Sequence, residues 1–351
     1  MKECCELRHI KSERLRIFFT DVFEALKCPS EIYQPVIEGL LETSLRGVDS
    51  HGIRLIAHYV DAALLGRINL RPRFNIRETS PTTILLDADD TFGITAAHRG
   101  MKKAMELAKR SGMGCAAVYN SSHFGAAAIY GLMAARANMI GISLTHTDAL
   151  VFPHGGREPF LGTNPICFAC PTHNEEPFCL DMSTSIVSWN KLLQHKEAGQ
   201  PLEPGWAADR DGTMCTDPNQ AKGLLALGGY KGYGLGLMVE VLCSLLTGMP
   251  FGKHIERMYP VNENKRKLGH FLMAIDIERF QGVDLFKERM KDLLDELRSL
   301  PPAEGFSKVM VAEDPQKEMY RQRSQEGIPV DEKVWAEFER VVEKLKIKLP
   351  Q

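Results

Sequence analysis

Two histidines sit where proton chemistry is done. His51 lies in the turn-forming loop Arg46-Gly-Val-Asp-Ser-His-Gly52, and His123 follows the strand-like Cys115–Tyr119 in a turn that opens a helix. Imidazole ordinarily titrates near neutral pH, and a loop lets it approach a small molecule. Either one alone reads as well as a structural histidine; two of them beside Ser50, Asp49 and glycines point to acid–base catalysis. Thr145-His-Thr-Asp148 adds hydroxyls and a carboxylate, and Asp148 is suited to orient an imidazole and support its cation. His146 and His154 flank the same region, whereas His58, His98, His195 and His254 fall on predicted helices or polar loops and are expected to be surface or capping residues. Lys231, set among glycines at the start of an apolar segment, suits a phosphate or ribose contact, although a lone lysine is usually just solvated.

Cys167-Phe-Ala-Cys170 with His173 and Cys179 resembles a metal-ligand string. Residues 167 and 170 of one strand point to opposite faces, however, and no second C-x-x-C occurs, so a core strand is the better reading and no metal is expected. A thiolate–zinc protein built on these four residues is the competing hypothesis from another functional class. Gly112-Met-Gly-Cys-Ala-Ala117 spells G-x-G-x-x-A but follows a helix and opens a strand, the reverse of what a Rossmann phosphate loop needs.

These residues require an α/β scaffold. Apolar periodicity predicts helices over 12–27, 31–45, 53–65, 95–109, 126–137, 235–247, 284–300 and 331–346, and strands over 74–78, 83–87, 115–119, 140–144, 165–169, 178–181 and 270–276. Strand 115–119, helix 126–137 and strand 140–144 read as a βαβ unit with parallel strands, so His123 and Asp148 face one crevice at a shared sheet edge. The expected organisation is a helical N-terminal region over 1–70, packed with the C-terminal helix of 315–351, and a catalytic domain over 71–314 with an excursion at 185–221.

In 351 residues, 43 Lys+Arg balance 45 Asp+Glu, so no basic excess marks a polyanion or membrane partner; no nucleic acid and no membrane is expected. Charges cut every long apolar run, and Met1-Lys-Glu-Cys-Cys-Glu does not read as an export signal. With nine cysteines, an odd number, reduced thiols and a cytoplasmic home are expected.

Asp49-Ser-His-Gly52, Ser122-His-Phe-Gly125, Pro153-His-Gly-Gly156, Gly162-Thr-Asn-Pro165, Asp181-Met-Ser-Thr184, Lys231-Gly-Tyr-Gly234 and Leu268-Gly-His270 together resemble the malate/L-lactate dehydrogenase family that is distinct from the Rossmann lactate dehydrogenases. The resemblance runs from about residue 10 to about 310. It implies a homodimeric NAD(P)-dependent oxidoreductase with a mixed, non-Rossmann α/β sheet, moving a hydride between nicotinamide and C2 of a small 2-hydroxy or 2-oxo acid. NAD is the expected cofactor, with NADP the alternative. Carried over by position, Ser50, His51 and His123 match active-site residues and Thr147 and Asp148 a polar pair near the nicotinamide. Gly162, Thr163, Asn164, Pro165, Asp181, Met182, Ser183 and Lys231 match cofactor contacts, and Gly305 matches one loosely. His123 is assigned the proton transfer, with His51 able to exchange roles.

One position departs from the pattern. Many relatives place an Arg four residues after the first histidine; here that residue is Leu55, and Arg54 lies about 100 degrees away around a helix. Arg54 is carried forward as the candidate carboxylate clamp. Trp206-Ala-Ala-Asp and Cys215-Thr-Asp-Pro218 look closest to the ureidoglycolate dehydrogenase branch, and a cyclic imine-carboxylate reductase is the alternative within the same fold.

Overall fold

The computed structural model describes residues 7–350. Strand β1 (Arg8–Ile10) leads into α1 (Ser12–Ala25), α2 (Ser30–Leu45) and, after two short 3-10 turns at Asp49–His51 and Ile53–Leu55, α3 (Ile56–Leu64). Leu15, Phe18, Phe19, Val22 and Phe23 form one buried stripe of α1, the spacing that puts side chains on a single helix face.

Next come β2 (Asn75–Ser80), β3 (Thr83–Asp87), α4 (Gly93–Ser111), β4 (Met113–Ser121), α5 (Ala128–Arg136), β5 (Met139–Thr145), β6 (Ile166–Cys170) and β7 (Phe178–Met182). The predicted excursion carries α6 (Trp189–Glu197), β8 (Ala207–Ala208) and β9 (Met214–Cys215), which build a small sheet with β10 (Gly223–Leu224). The chain continues through α7 (Tyr230–Glu240), a widened π turn at Val241–Leu245, β11 (Leu268–Asp276), α8 (Val283–Ser299), α9 (Asp314–Glu326), β12 (Ile328–Val330) and α10 (Glu332–Leu345). Sequence periodicity missed α6 and α9, whose faces carry only one buried residue each.

The last helix returns to the first: Phe338 of α10 packs against Phe18 and Phe19 with ring centroids 5.2 and 6.0 Å apart, and β12 pairs antiparallel with β1.

A seven-stranded mixed sheet in the order β2-β3-β4-β11-β5-β6-β7 forms the centre. Only β3 and β4 are parallel neighbours. The expected βαβ unit is therefore corrected in one respect: β4 and β5 run in the same direction, but β11 lies between them, antiparallel to both. Their carboxyl ends still share one edge. Alternation along β11 serves both faces, with Leu272 and Ala274 in the core under α4 and α5 and Phe271 packed toward Val239 and Cys243. On that second face the backbone comes so close that a Cβ at Gly269 would lie 1.9 Å from the Cys243 carbonyl oxygen. Among the described residues no helix is long and apolar enough to cross a membrane.

Candidate active site

The carboxyl ends of β4 and β5, the loop before α3 and the start of α5 enclose a cleft of about 1490 Å³. Ser50, His51, Arg54, His123, Thr147, Asp148, Thr163, Pro165, Asp181, Met182 and Ser183 all line it, so most of the residues singled out in the sequence converge here.

The His51 and His123 rings lie nearly parallel at 5.6 Å between centroids, tilted by 21°. His51 Nδ1 lies 2.8 Å from Ser50 Oγ, and His123 Nδ1 lies 2.9 Å from the hydroxyl of Tyr59. Both Nδ1 atoms thus have partners, which leaves each Nε2 as the nitrogen open to a ligand. Loss of solvent holds His51 down to about 4. His123 is pushed well below the ordinary histidine value by burial and by the positive potential of His51 and Arg266. Both rings are therefore neutral at pH 7. Tyr59 is fully buried, and burial raises its phenol, so it stays protonated.

Asp148 does not orient an imidazole. Its carboxylate is ion-paired with Arg266, which is itself buried. Burial works against the guanidinium charge and Asp148 supports it. Arg54 lines the cleft with Arg257 and Tyr259, and among the described residues neither arginine's side chain is ion-paired. The one-residue offset from the usual clamp position still leaves Arg54 at the cleft wall.

Asp181 is the cap of α5: its Oδ2 accepts from the Ala128 amide at 2.8 Å, and crowding by protein raises the carboxyl to about 6. Near Asp181 the buried Arg46 binds Glu42 at 2.7 Å, Glu176 at 2.9 Å and Glu313 at 2.7 Å.

Four of the carried-over positions lie outside the lining. Asn164 is fully buried, donating to the Gly236 carbonyl at 3.0 Å and to Glu240 at 2.8 Å and accepting from the Thr147 amide at 3.2 Å. Gly162 packs against that loop; a Cβ there would fall 2.6 Å from both Asn164 Oδ1 and the Thr147 carbonyl. Lys231 is exposed on the first turn of α7, and Gly305 is an exposed turn residue with φ of +87°. His58, expected at the surface, is buried between Tyr59 and Tyr259, at 5.6 and 5.1 Å. His146 is buried behind the cleft, and His270 bridges Ser121 at 2.7 Å and Thr145 at 2.8 Å.

The cysteine string does not converge. Cys167 and Cys179 face each other across β6 and β7 with sulfurs 3.7 Å apart, and among the described residues no group of three or more His, Cys, Asp or Glu side chains is placed to hold a metal.

A cleft of this size exceeds the ~300–1,000 Å³ usual for one small ligand, which fits a small substrate beside an extended dinucleotide. The hydroxyls of Thr163 and Ser183 along its walls suit the ribose and phosphate groups of such a ligand, and no Rossmann loop is involved.

Comparison with known proteins agrees with this architecture. Residues 10–339 match the family described as malate/L-lactate dehydrogenase. The chain is 37% identical to malate dehydrogenase of Pyrococcus abyssi, covering 97% of this chain and 95% of that one. It is 34% identical to the NAD(+) ureidoglycolate dehydrogenase of Escherichia coli O157:H7, covering 86% of each. The crystal structure of malate dehydrogenase from Entamoeba histolytica superposes with a TM-score of 0.93 at 30% identity, covering 99% of this chain and 100% of that one. The fold and the sequence together make this chain a member of the malate/L-lactate dehydrogenase family, an oxidoreductase acting on a 2-hydroxy acid.

Proposed function

We propose that the chain catalyses reversible NAD-dependent oxidation of a dianionic 2-hydroxy acid, with (S)-malate the first candidate. The observation that carries this reading is the charge around the paired imidazoles. Arg54, three residues from His51, and Arg266, whose charge acts on His123, line the cleft with Arg257, and among the described residues only Arg266 of the three is ion-paired, to Asp148; the two unpaired guanidinium groups suit two carboxylates better than one. The names of the Pyrococcus and Escherichia relatives point to hydroxy acids carrying a second polar group.

In the oxidation direction His123 Nε2 takes the hydroxyl proton, which requires the tautomer whose proton sits on Nδ1, facing the Tyr59 oxygen 2.9 Å away. His51, set by Ser50, hydrogen-bonds the same oxygen, and Arg54 grips a carboxylate. Bound nicotinamide supplies the hydride acceptor. Thr147, Thr163, Pro165, Asp181, Met182 and Ser183 form the wall for that cofactor. A second copy of the chain covering the exposed Leu235, Leu237, Met238, Val241 and Leu245 would give a homodimer, with Lys231 at its border; sedimentation velocity tests this. A reducing cytoplasm suits the unpaired thiols.

The test is reduction of NAD and of NADP, in separate assays, with (S)- and (R)-malate, lactate, sulfolactate and ureidoglycolate. Fastest turnover with malate and NAD is expected. Turnover with lactate equal to that with every dianion would overturn the charge argument, and oxidation of NADPH by a cyclic imine carboxylate with no turnover of any alcohol would put the imine reductase in its place.

A further inference from the structure

We propose that Glu240 is a positioning residue of the reaction, holding the Thr147–Asp148 turn in the cleft through the side chain of Asn164. This rests on the reading above that Asp148 belongs to the working site.

Glu240 ends α7, whose residues after Lys231 are otherwise uncharged, and is almost completely buried. Among the described residues no Lys or Arg pairs with it. A carboxyl group taken out of water needs partners at both oxygens, and Glu240 has a donor at each. Oε2 accepts from Asn164 Nδ2 at 2.8 Å, and Oε1 accepts from the Gly252 amide at 2.8 Å. His146 supplies a third approach: its Nε2 accepts from the Gly269 amide at 2.9 Å, so in the neutral ring the proton sits on Nδ1, 3.7 Å from Glu240 Oε1. That Nδ1 has no other partner.

Glu240 and two backbone groups agree on which way the Asn164 amide is turned. Both Nδ2 hydrogens are used, on Glu240 and on the Gly236 carbonyl, so Oδ1 must face the Thr147 amide, as it does at 3.2 Å. Asn164 holds this pose with φ of +36°, a backbone region that asparagine tolerates better than most residues. Gly162 lets the two loops touch. Thr147 and Asp148 are adjacent, and Asp148 carries the ion pair to Arg266. A rigid path of named hydrogen bonds therefore leads from the end of α7 to the cleft wall, and no atom of Glu240 lines the cleft.

The polarity of the path makes it testable by exchange. Glu240→Gln places an amide where both neighbours are donors, and Asn164→Asp sets two carboxylates against each other. Combining them restores a donor–acceptor pair between the two side chains and keeps an acceptor toward both Thr147 and Gly252, leaving only the Gly236 carbonyl without its donor. The full-length protein and the three variants are compared for kcat and KM per folded molecule, with the folded fraction fixed by near-UV circular dichroism, and Asp148→Ala is measured in parallel. Each single variant is expected to lose at least about tenfold in kcat, with the double variant recovering part of that loss and exceeding both single variants. Single variants that are less thermostable but retain wild-type kcat per folded molecule would make Glu240 merely structural and overturn the proposal. So would a double variant no better than the worse single one while Asp148→Ala is impaired. Wild-type turnover in Asp148→Ala would instead remove Asp148 from the site, and the positioning role with it.

Discussion

His123 Nδ1 lies 2.9 Å from the hydroxyl of Tyr59, a tyrosine with no exposed surface, and this contact selects the imidazole nitrogen that meets a ligand. Tyr59→Phe removes the partner and leaves a buried ring nitrogen unsatisfied, at a cost of about 1–3 kcal/mol. We expect kcat to fall about 10- to 100-fold with little change in cofactor affinity, as read by steady-state kinetics and NADH fluorescence titration. A wild-type kcat would mean that the tautomer is set elsewhere.

His123→Ala is expected to reduce turnover by about 10²–10⁴-fold, the usual worth of a positioned acid–base group. NADH binding should survive. His51→Ala tests the exchange of roles, because the more damaging of the two substitutions marks the histidine that moves the proton.

Binding of a dicarboxylate should take up protons. His51 is held at about 4 and His123 well below its ordinary value in a cleft already rich in arginine, so negative charge placed beside them raises both. Calorimetric titration with succinate at pH 6, in buffers of different ionisation enthalpy, should show uptake of a fraction of a proton per site. Zero uptake would place the carboxylates away from the two rings.

Arg266→Met leaves the Asp148 carboxylate, half-buried at the cleft wall, without its partner and should lower the denaturation midpoint. The double replacement Arg266→Met with Asp148→Leu should recover much of that loss while remaining inactive. Equal denaturation midpoints for wild type and Arg266→Met would show that the pair contributes nothing to the fold.

Acid should weaken the fold earlier than carboxylate titration alone would do. His51, His58 and His270 are depressed by burial to about 4, 3 and 3. The unfolded chain binds protons at these residues as pH falls through about 6.5, while the folded chain does not. Their contribution is therefore complete above pH 6.5 and is lost on acidification. Asp181 and Glu313, raised by burial to about 6 and 7, act in the opposite sense, being favoured in the fold at the lower pH. The histidines outnumber them, so Tm should drop between pH 6.5 and 4.5; a flat or rising Tm over that interval contradicts the balance.

His51 and His123 were legible because each sits in a short, glycine-bearing string whose chemistry is local. Tyr59 and Arg266 were not. Tyr59 meets His123 across 64 residues and Arg266 meets Asp148 across 118, and nothing in either neighbourhood announces a partner so distant in sequence. Asp148 was accordingly assigned to an imidazole when a guanidinium had taken it. Glu240 did leave a signal, being one of the charges that cut the apolar run of 235–247, but that spoke only against a membrane span. The strands themselves were legible from alternation, whereas their order was not, since a strand's own pattern says that it is buried and not which neighbour it pairs with.

The placing of β11 between β4 and β5 has a consequence for how the molecule is made. As the polypeptide emerges from the ribosome, β4 and β5 are complete by Thr145, yet the strand that joins them begins only at Leu268. Over the intervening stretch of synthesis both carry unpaired backbone edges, the kind of surface that recruits other strands. The centre of the sheet closes late in translation, and a nascent chain stalled before Leu268 lacks the piece that makes its two halves one.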